Sequence, residues 1–125
     1  MGWNANFAIT TLVDSELKAA PIGTRAVIFD VGANSGEWAA SWKPLTKKRR
    51  ADVYIFEPQP HFSRSLTMLA DTMNATFEQA AAWKADGTMP FSGNTASEGE
   101  GLMTSQSDAS KSSISVRTVD LAAYI

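Results

Sequence analysis

The 125-residue sequence predicts an α/β fold, a doubly wound parallel sheet with helices on both faces. Short apolar runs, typical of strands buried in a parallel sheet, alternate with stretches that have the periodicity of helices. The connections between these segments are short, which favours neighbouring parallel strands joined by right-handed crossovers. We expect a single domain over residues 1–125, because one domain typically contains about 100–150 residues.

The first helix and the first strand are each indicated by their apolar pattern. Residues 4–19 carry apolar side chains on one loose helical face, and Pro21 and Gly23 mark the end of this helix. Residues 26–31, AVIFDV, form an unbroken apolar run with one acid near its end. Such a run predicts a strand that is buried on both faces.

A second helix is predicted at residues 35–43, directly after a turn that contains glycine. Ser35 is a suitable N-cap residue, and Trp38 and Trp42 share a face because they are four residues apart. We expect the two tryptophans to pack between the helix and the sheet. The basic run at 47–50 then forms a solvated connection to the next strand.

One more strand, helix and strand complete the alternation. Residues 52–56, DVYIF, predict a strand that ends in Glu57 and Pro58. Residues 61–73 predict a helix, because their large apolar side chains form one stripe. A weak third strand is predicted at residues 75–79.

The rest of the chain has a different character. Residues 88–92 predict a short strand, and residues 114–119 alternate apolar and polar side chains as in a strand with one solvated face. Between them, residues 93–113 are rich in serine and glycine, which predicts a flexible loop. Asp120 is placed to cap a final turn.

The composition excludes several classes of protein. With 44% hydrophobic and 19% charged residues, the chain has the balance of a globular domain and not of a disordered one. It has no cysteine, which rules out disulfides, thiolate metal sites and a cysteine nucleophile. The net charge of −2 argues against nucleic acid as the main partner. The first residues lack the basic-then-apolar layout of a signal peptide, and no apolar run is long enough to span a membrane. We expect a cytoplasmic protein.

The turn after the first strand carries the most informative motif. Asp30, Gly32 and Gly36 form the pattern D-x-G-x-x-x-G at the end of a strand, where ligands bind in open α/β sheets. Glycine allows a sharp turn and the close approach of a ligand. The pattern lacks the G-x-G-x-x-G of dinucleotide sites, which counts against a fragment of an NAD-type oxidoreductase. It also lacks the G-K-[ST] of a P-loop.

The acids at the strand ends select among ligands. Asp30 would repel a pyrophosphate, but it suits a ligand with an ammonium or sulfonium group. S-adenosylmethionine carries both groups, and its carboxylate can accept hydrogen bonds from the N–H groups at the start of the next helix. Glu57, at the end of the second strand, can accept both hydroxyls of an adenosine ribose. We expect the third strand to end in residues 79–83, whose small side chains leave room for adenine, with Trp83 at its edge.

On these motifs the chain resembles the FkbM family of S-adenosylmethionine-dependent methyltransferases. The resemblance rests on the ordered segments DVGANSGEW, IFEPQPHF, AAAWKADGTMPF and SSISVRTVDL, and it runs from about Ala26 to Ile125. It implies a Rossmann-like fold of the class I methyltransferase type, and methylation of a hydroxyl on a sugar, glycolipid or natural product. The cofactor-binding residues that it implies are Asp30, Gly32, Ala33, Asn34, Ser35, Gly36, Glu57, Pro58, Ala81, Ala82 and Trp83.

The resemblance also implies roles and a boundary. It assigns Asn34 and Ser35 to the rim of a methionine pocket and Ala81–Ala82 to the border of the adenine, but it assigns no catalytic base. The family's pattern continues beyond the segment that ends at Ile125 into a further buried strand. We therefore expect this chain to be the N-terminal portion of the fold. The strand at 26–31 would then have an open edge, and we expect self-association through that edge.

A second interpretation remains open on the residues alone. The chain could be a non-catalytic or truncated module that binds adenosine nucleotides and transfers nothing. Under the first interpretation the partner is a small-molecule or glycan acceptor. No group of residues has the spacing of a metal site.

Overall fold

The computed structural model describes residues 5–92, 101–102 and 113–125. The helices within these ranges are α1 (Ala5–Ala19), α2 (Glu37–Ala40), α3 (Lys43–Lys47) and α4 (Ser63–Met73). The strands are β1 (Ala26–Val31), β2 (Ala51–Phe56), β3 (Thr76–Glu78), β4 (Ala81–Trp83), β5 (Gly87–Ser92), β6 (Gly101–Leu102) and β7 (Ser113–Asp120). A 3₁₀ turn, Pro60–Phe62, precedes α4, and a second one, the C-terminal turn Leu121–Tyr124, follows β7.

The described strands form two sheets. β1, β2 and β3 form a parallel sheet in that order, with Ala26 opposite Ala51 and Tyr54 opposite Thr76. This arrangement confirms the predicted parallel α/β pattern of the first half. β4, β7, β5 and β6 form a mixed sheet in that order. In it β4 and β7 are parallel, and β5 runs antiparallel to both of its neighbours.

The four helices pack on one face of the parallel sheet. Alternate side chains of a strand point to opposite faces, so Ile28, Val53 and Ile55 share this face. They form one apolar cluster with side chains from every helix. Its buried members are Leu17, Ala33, Ala39, Trp42, Leu45, Ala51, Val53, Ile55, Phe62, Leu66, Ala70 and Met73. The parallel pairing of Val31 with Phe56 places the carboxyl ends of β1 and β2 side by side.

The opposite face of the parallel sheet is only partly covered. Phe56 is buried there beneath the edge of the Tyr124 ring, with 5.2 Å between the ring centroids. Val27 and Val31 lie on the same face of β1 and are 54% and 51% exposed. The prediction that β1 is buried on both faces is therefore wrong, because the C-terminal turn packs mainly over β2. Among the described helices none covers this face, so the sheet is wound on one face only.

The predicted helix at 35–43 is observed as the shorter α2, and a second short helix, α3, begins only at its last residue. Gly36, with a φ of 87°, directly precedes α2, so Ser35 is not its N-cap. Pro44 lies in the first turn of α3, where the missing N–H of proline costs no hydrogen bond. Lys47 is thus the last residue of a helix and not part of a solvated connection.

The two tryptophans pack as predicted. Trp42, between α2 and α3, is 1% exposed, and the ring of Trp38 meets it edge to face at 5.5 Å. Both side chains belong to the cluster between the helices and the sheet. They therefore stabilise the fold and do not line a surface.

Residues 79–83 do not continue the third strand as predicted. The parallel strand β3 ends at Glu78, and Ala81 begins β4 in the other sheet. Between them the Ala80 N–H donates to the Glu78 carbonyl oxygen at 2.9 Å. Ala80 is fully buried next to Phe56. This tight turn leads the chain away from the parallel sheet.

The predicted loop at 93–113 is wrong at the positions that the structure describes. Gly101–Leu102 pair with β5, and Ser113 is the first residue of β7. The other residues of that loop lie outside the described ranges. The prediction of a capped final turn is confirmed, because Asp120 Oδ1 accepts a hydrogen bond from the Ala122 N–H at 3.1 Å.

Candidate functional site

The turn after β1 is fastened to the end of β2. The backbone N–H groups of Gly32 and Ala33 both donate to the Phe56 carbonyl oxygen, at 2.8 and 3.1 Å. The Gly36 N–H donates to the Ala33 carbonyl oxygen at 2.8 Å. Gly32, Asn34 and Gly36 all have positive φ, of 76°, 51° and 87°. The turn is therefore compact, and most of its N–H groups are used within the protein.

Asp30 is a buried carboxyl group with an unused oxygen. Its side chain is 7% exposed, and Oδ2 has no hydrogen-bond partner among the described residues. Burial raises the pKa of Asp30, a hydrogen bond from the Ala39 N–H opposes this rise and the negative charge of Glu57 adds to it, so that the pKa is about 6. An ionised carboxylate in such a place lacks the partner that buried charges usually have. The site is therefore suited to a ligand that brings a positive charge or a donor.

Glu57 joins the turns that follow β1 and β2. It is 1% exposed. Its Oε1 accepts the Asn34 N–H and its Oε2 accepts the Gln59 N–H, both at 2.9 Å. Each carboxylate oxygen can accept a second hydrogen bond, so the two contacts leave acceptor capacity for a ligand.

Gln59 is a site residue that the sequence reasoning missed. It is buried at 3% exposure, and its N–H binds Glu57. The signal was available in the prolines at 58 and 60. A residue before proline is held in an extended conformation, which here points the Gln59 N–H back at the carboxylate.

The two glycines of the motif have different roles. A Cβ on Gly32 would meet nothing within 4 Å, so this position leaves space for a ligand. A Cβ on Gly36 would lie 2.7 Å from Leu69 Cδ2 and 2.9 Å from Leu66 Cδ2. Gly36 therefore allows α4 to pack closely against the turn. Ala33, in the same turn, is buried in the apolar cluster beneath the helices. Ser35 is an exposed residue of the turn.

The proposed adenine border lies in the other sheet. Ala81 is buried with Phe91 and Val116, and Trp83 is half-buried opposite Asp120. The structure brings together the first part of the predicted site, including the buried Pro58, around the ends of β1 and β2.

A separate groove of about 590 Å³ opens beside the C-terminal turn. Arg117 forms an ion pair there with Glu78. Burial raises the pKa of the Tyr124 hydroxyl, and the nearby negative charge of Glu78 adds to this effect. The groove is lined by Asp86, Gly87, Thr88, Arg117, Thr118, Val119, Asp120, Ala123 and Tyr124, none of which was a predicted site residue.

Neither metal ligation nor a membrane span is indicated in the described ranges. There, no three histidine, cysteine, aspartate or glutamate side chains are grouped so that they could hold a metal ion. Likewise no described helix is long and apolar enough to cross a membrane. Comparison with known proteins gives no match to a family model, a curated protein or a solved structure. The resemblance stated above therefore depends on the motifs alone.

Proposed function

We propose that the chain is a S-adenosylmethionine-dependent methyltransferase of the FkbM type, acting on a hydroxyl of a sugar, glycolipid or natural product. The observation that supports it best is the buried, unpartnered oxygen of Asp30 beside the open Gly32 position. A Rossmann-like fold and a cytoplasmic location belong to the same proposal. The parallel order of β1, β2 and β3 supports the fold.

In this proposal Asp30 binds the ammonium group of the methionine part. A ligand cation next to Asp30 would stabilise the ionised carboxylate, which burial otherwise disfavours. Gly32 would let the ligand approach the backbone, because neither a side chain nor a neighbour fills that space. Asp30 and Gly32 together explain the D-x-G-x-x-x-G motif, in which an acid lies at a position where it would repel a phosphate.

Glu57 accepts the ribose hydroxyls in the same proposal. The hydroxyl groups would use the acceptor capacity that Asn34 and Gln59 leave on its two oxygens. Because Glu57 is 1% exposed, the turns around it must open slightly before a ribose can enter. Ala81, Ala82 and Trp83 remain the proposed border of the adenine.

The reaction would be an in-line displacement. The acceptor oxygen forms a bond to the methyl carbon while the sulfur–methyl bond breaks, and the bonding pair passes to sulfur. The proton of the acceptor hydroxyl leaves to a base. The bound sulfonium supplies the reactivity, so the protein mainly aligns the two partners and excludes water.

Calorimetric titration with S-adenosylmethionine and S-adenosylhomocysteine tests the proposal. We expect both to bind, and we expect the affinity to rise as the pH passes through about 6, where Asp30 ionises. Asp30→Asn should weaken binding by at least about tenfold, because a hydrogen bond to a charged group contributes about 1.5–3 kcal/mol. The matched control is Asp52→Asn. It removes a carboxylate of β2 that pairs with Arg25, a residue 27 positions earlier in the sequence.

The outcomes are distinct. Failure of the folded wild-type chain to bind either compound would overturn the proposed function. Equal affinity in the wild type and in Asp30→Asn would leave cofactor binding in place and refute the role of Asp30. The control variant should bind as the wild type does.

A non-catalytic adenosine-binding module is the second candidate. It is favoured by the two backbone N–H groups that already bind Glu57, because they close the turn without any sulfonium chemistry. In that case adenosine itself should bind about as well as S-adenosylmethionine. The affinity should then also be the same on both sides of the Asp30 pKa. A clear preference for the sulfonium compound would exclude this candidate.

A further inference from the structure

We propose that the amino-terminal end of the parallel sheet is a docking surface for a membrane that contains anionic lipids. This surface, the basic end, lies where the strands begin, opposite the end that carries Asp30 and Glu57. It does not depend on the proposed function. It consists of the turn 21–24 and the cations Lys18, Arg25, Lys47, Lys48, Arg49 and Arg50.

Hydrogen bonds hold three segments of the basic end together. Arg50 Nη2 donates to the Leu17 carbonyl oxygen at 2.6 Å, which ties the residue before β2 to the end of α1. The Ala26 N–H donates to the Arg50 carbonyl oxygen at 2.9 Å. The Arg25 guanidinium donates to the Arg49 carbonyl oxygen. The end of α1, the turn before β1 and the turn before β2 are therefore neighbours.

The basic end has a local excess of positive charge in a chain whose net charge is −2. The side chains of residues 47–49 are exposed, and none forms an ion pair with a carboxylate in the described ranges. Lys18 and Arg25 each pair with an aspartate, and Glu16 near the end of α1 offsets one further charge. The three exposed cations are thus available to an anionic partner.

An aliphatic side chain projects from the same end. Ile22 is fully exposed, at 106% of its reference area. It occupies the tip of a turn in which the Thr24 N–H donates to the Pro21 carbonyl oxygen at 3.1 Å. Gly23 has a φ of 92°, as the third residue of a type II turn requires. The turn therefore holds Ile22 outward in a defined position.

Cations around an exposed aliphatic tip match the surface of an anionic bilayer. The aliphatic group can enter the boundary between head groups and acyl chains, while lysine and arginine meet the lipid phosphates. A nucleic acid would bind the cations alone, because its phosphate backbone makes no apolar contact with Ile22. The combination therefore favours a membrane. With the basic end on the bilayer, the carboxyl end of β1, where Asp30 lies, faces away from the membrane.

Vesicle co-sedimentation of the full chain tests this proposal. Vesicles of phosphatidylcholine mixed with phosphatidylglycerol should bind the chain, and vesicles of phosphatidylcholine alone should not. Added salt should weaken the binding, because it screens exposed charges.

Three variants separate the contribution of the cations from that of Ile22. The triple variant Lys47→Glu, Lys48→Glu, Arg49→Glu should lower the affinity by at least about tenfold, since each cation near an anionic membrane contributes roughly a fivefold effect. Ile22→Ser should lower it by about fivefold, and Ile22→Trp should raise it. Matched controls at exposed positions of α4 are Arg64→Glu for the charge and Met68→Ser for the apolar side chain.

Three results would overturn the proposal. One is equal binding to both kinds of vesicle, and another is no binding to either. The third is tight binding to a DNA duplex by the wild type and by Ile22→Ser alike, which would identify the basic end as a nucleic-acid surface.

Discussion

Asp30 and Glu57 show how two acids at neighbouring strand ends acquire different properties. Both are buried, at 7% and 1% exposure. Glu57 accepts one backbone N–H on each oxygen, whereas Asp30 Oδ2 has no partner among the described residues. An unpaired buried carboxylate costs free energy, and a neutral carboxyl group costs less. The ligand-free protein therefore carries a local instability at Asp30.

We predict that Asp30→Asn stabilises the ligand-free protein at pH 8. The pKa of Asp30 is raised from 3.8 to about 6, so ionising it in the folded state opposes folding. The cost is absent below the unfolded-state pKa, grows as the pH rises towards about 6, and is fully present above it. Since one pKa unit corresponds to about 1.4 kcal/mol, the free energy of unfolding of the variant should exceed that of the wild type by about 2–3 kcal/mol at pH 8.

Urea unfolding of the wild type and the variant at pH 8 and near pH 4 measures this difference. The two proteins should be equally stable at the lower pH. Asp52→Asn is the control of opposite sign, because Arg25 lowers the pKa of Asp52 and its ionised form favours folding. A gain that is the same at both pH values would show that side-chain shape and not charge is responsible.

At the scale of the elements, close packing between the turn and α4 determines where the helices can lie. The turn after β1 contacts α4 through Gly36, whose missing side chain leaves room for Leu66 and Leu69. Leu66 is fully buried and belongs to the main apolar cluster. A motif glycine that looks like part of a ligand site therefore also sets the packing of a helix.

We predict that Gly36→Ala destabilises the protein more than Gly32→Ala does. Both residues have left-handed φ, which costs a non-glycine residue roughly 1–2 kcal/mol. Only at Gly36 would the new Cβ also lie within 3 Å of two leucine atoms, and overpacking costs about 1–3 kcal/mol more. Urea midpoints of the two variants measure the difference. Equal midpoints would mean that α4 moves away from the turn without loss.

At the scale of the whole molecule, the parallel sheet has an exposed edge and an exposed apolar face at β1. Among the described strands, β1 pairs with β2 alone. Its second face carries the half-exposed Val27 and Val31. An apolar edge strand with unpaired backbone groups is a template for pairing with another chain. Among the described residues, no charged side chain lies on that face of β1 to oppose pairing at this edge.

We predict that the protein self-associates through β1 as its concentration rises. Sedimentation velocity should show a mass that increases with concentration, and Val27→Lys should suppress the increase, because a charge on an edge strand opposes pairing. The control is Met68→Lys, which places the same charge at an exposed apolar position of α4. A wild-type monomer at every concentration would contradict the prediction.

Much of the local structure could be predicted from the sequence. The run AVIFDV predicted β1 with its observed bounds, and the ends of the next strands and of α4 were predicted to within one or two residues. The proximity of Asp30 and Glu57 also followed, because parallel neighbours end at the same edge of a sheet. These features depend on apolar periodicity and on strand direction, both of which are local properties of the chain.

Only the tertiary structure decided what surrounds those residues. Apolar periodicity identifies the side chains that avoid water, but it does not say which partner covers them. It therefore misassigned the second face of β1 and the direction of residues 79–83. The hydrogen bonds from Asn34 and Gln59 to Glu57, and the contact of Gly36 with α4, join turns and helices that are apart in sequence. The sequence by itself determined the strands and the acids at their ends, and long-range packing decided which acid kept an oxygen without a hydrogen-bond partner.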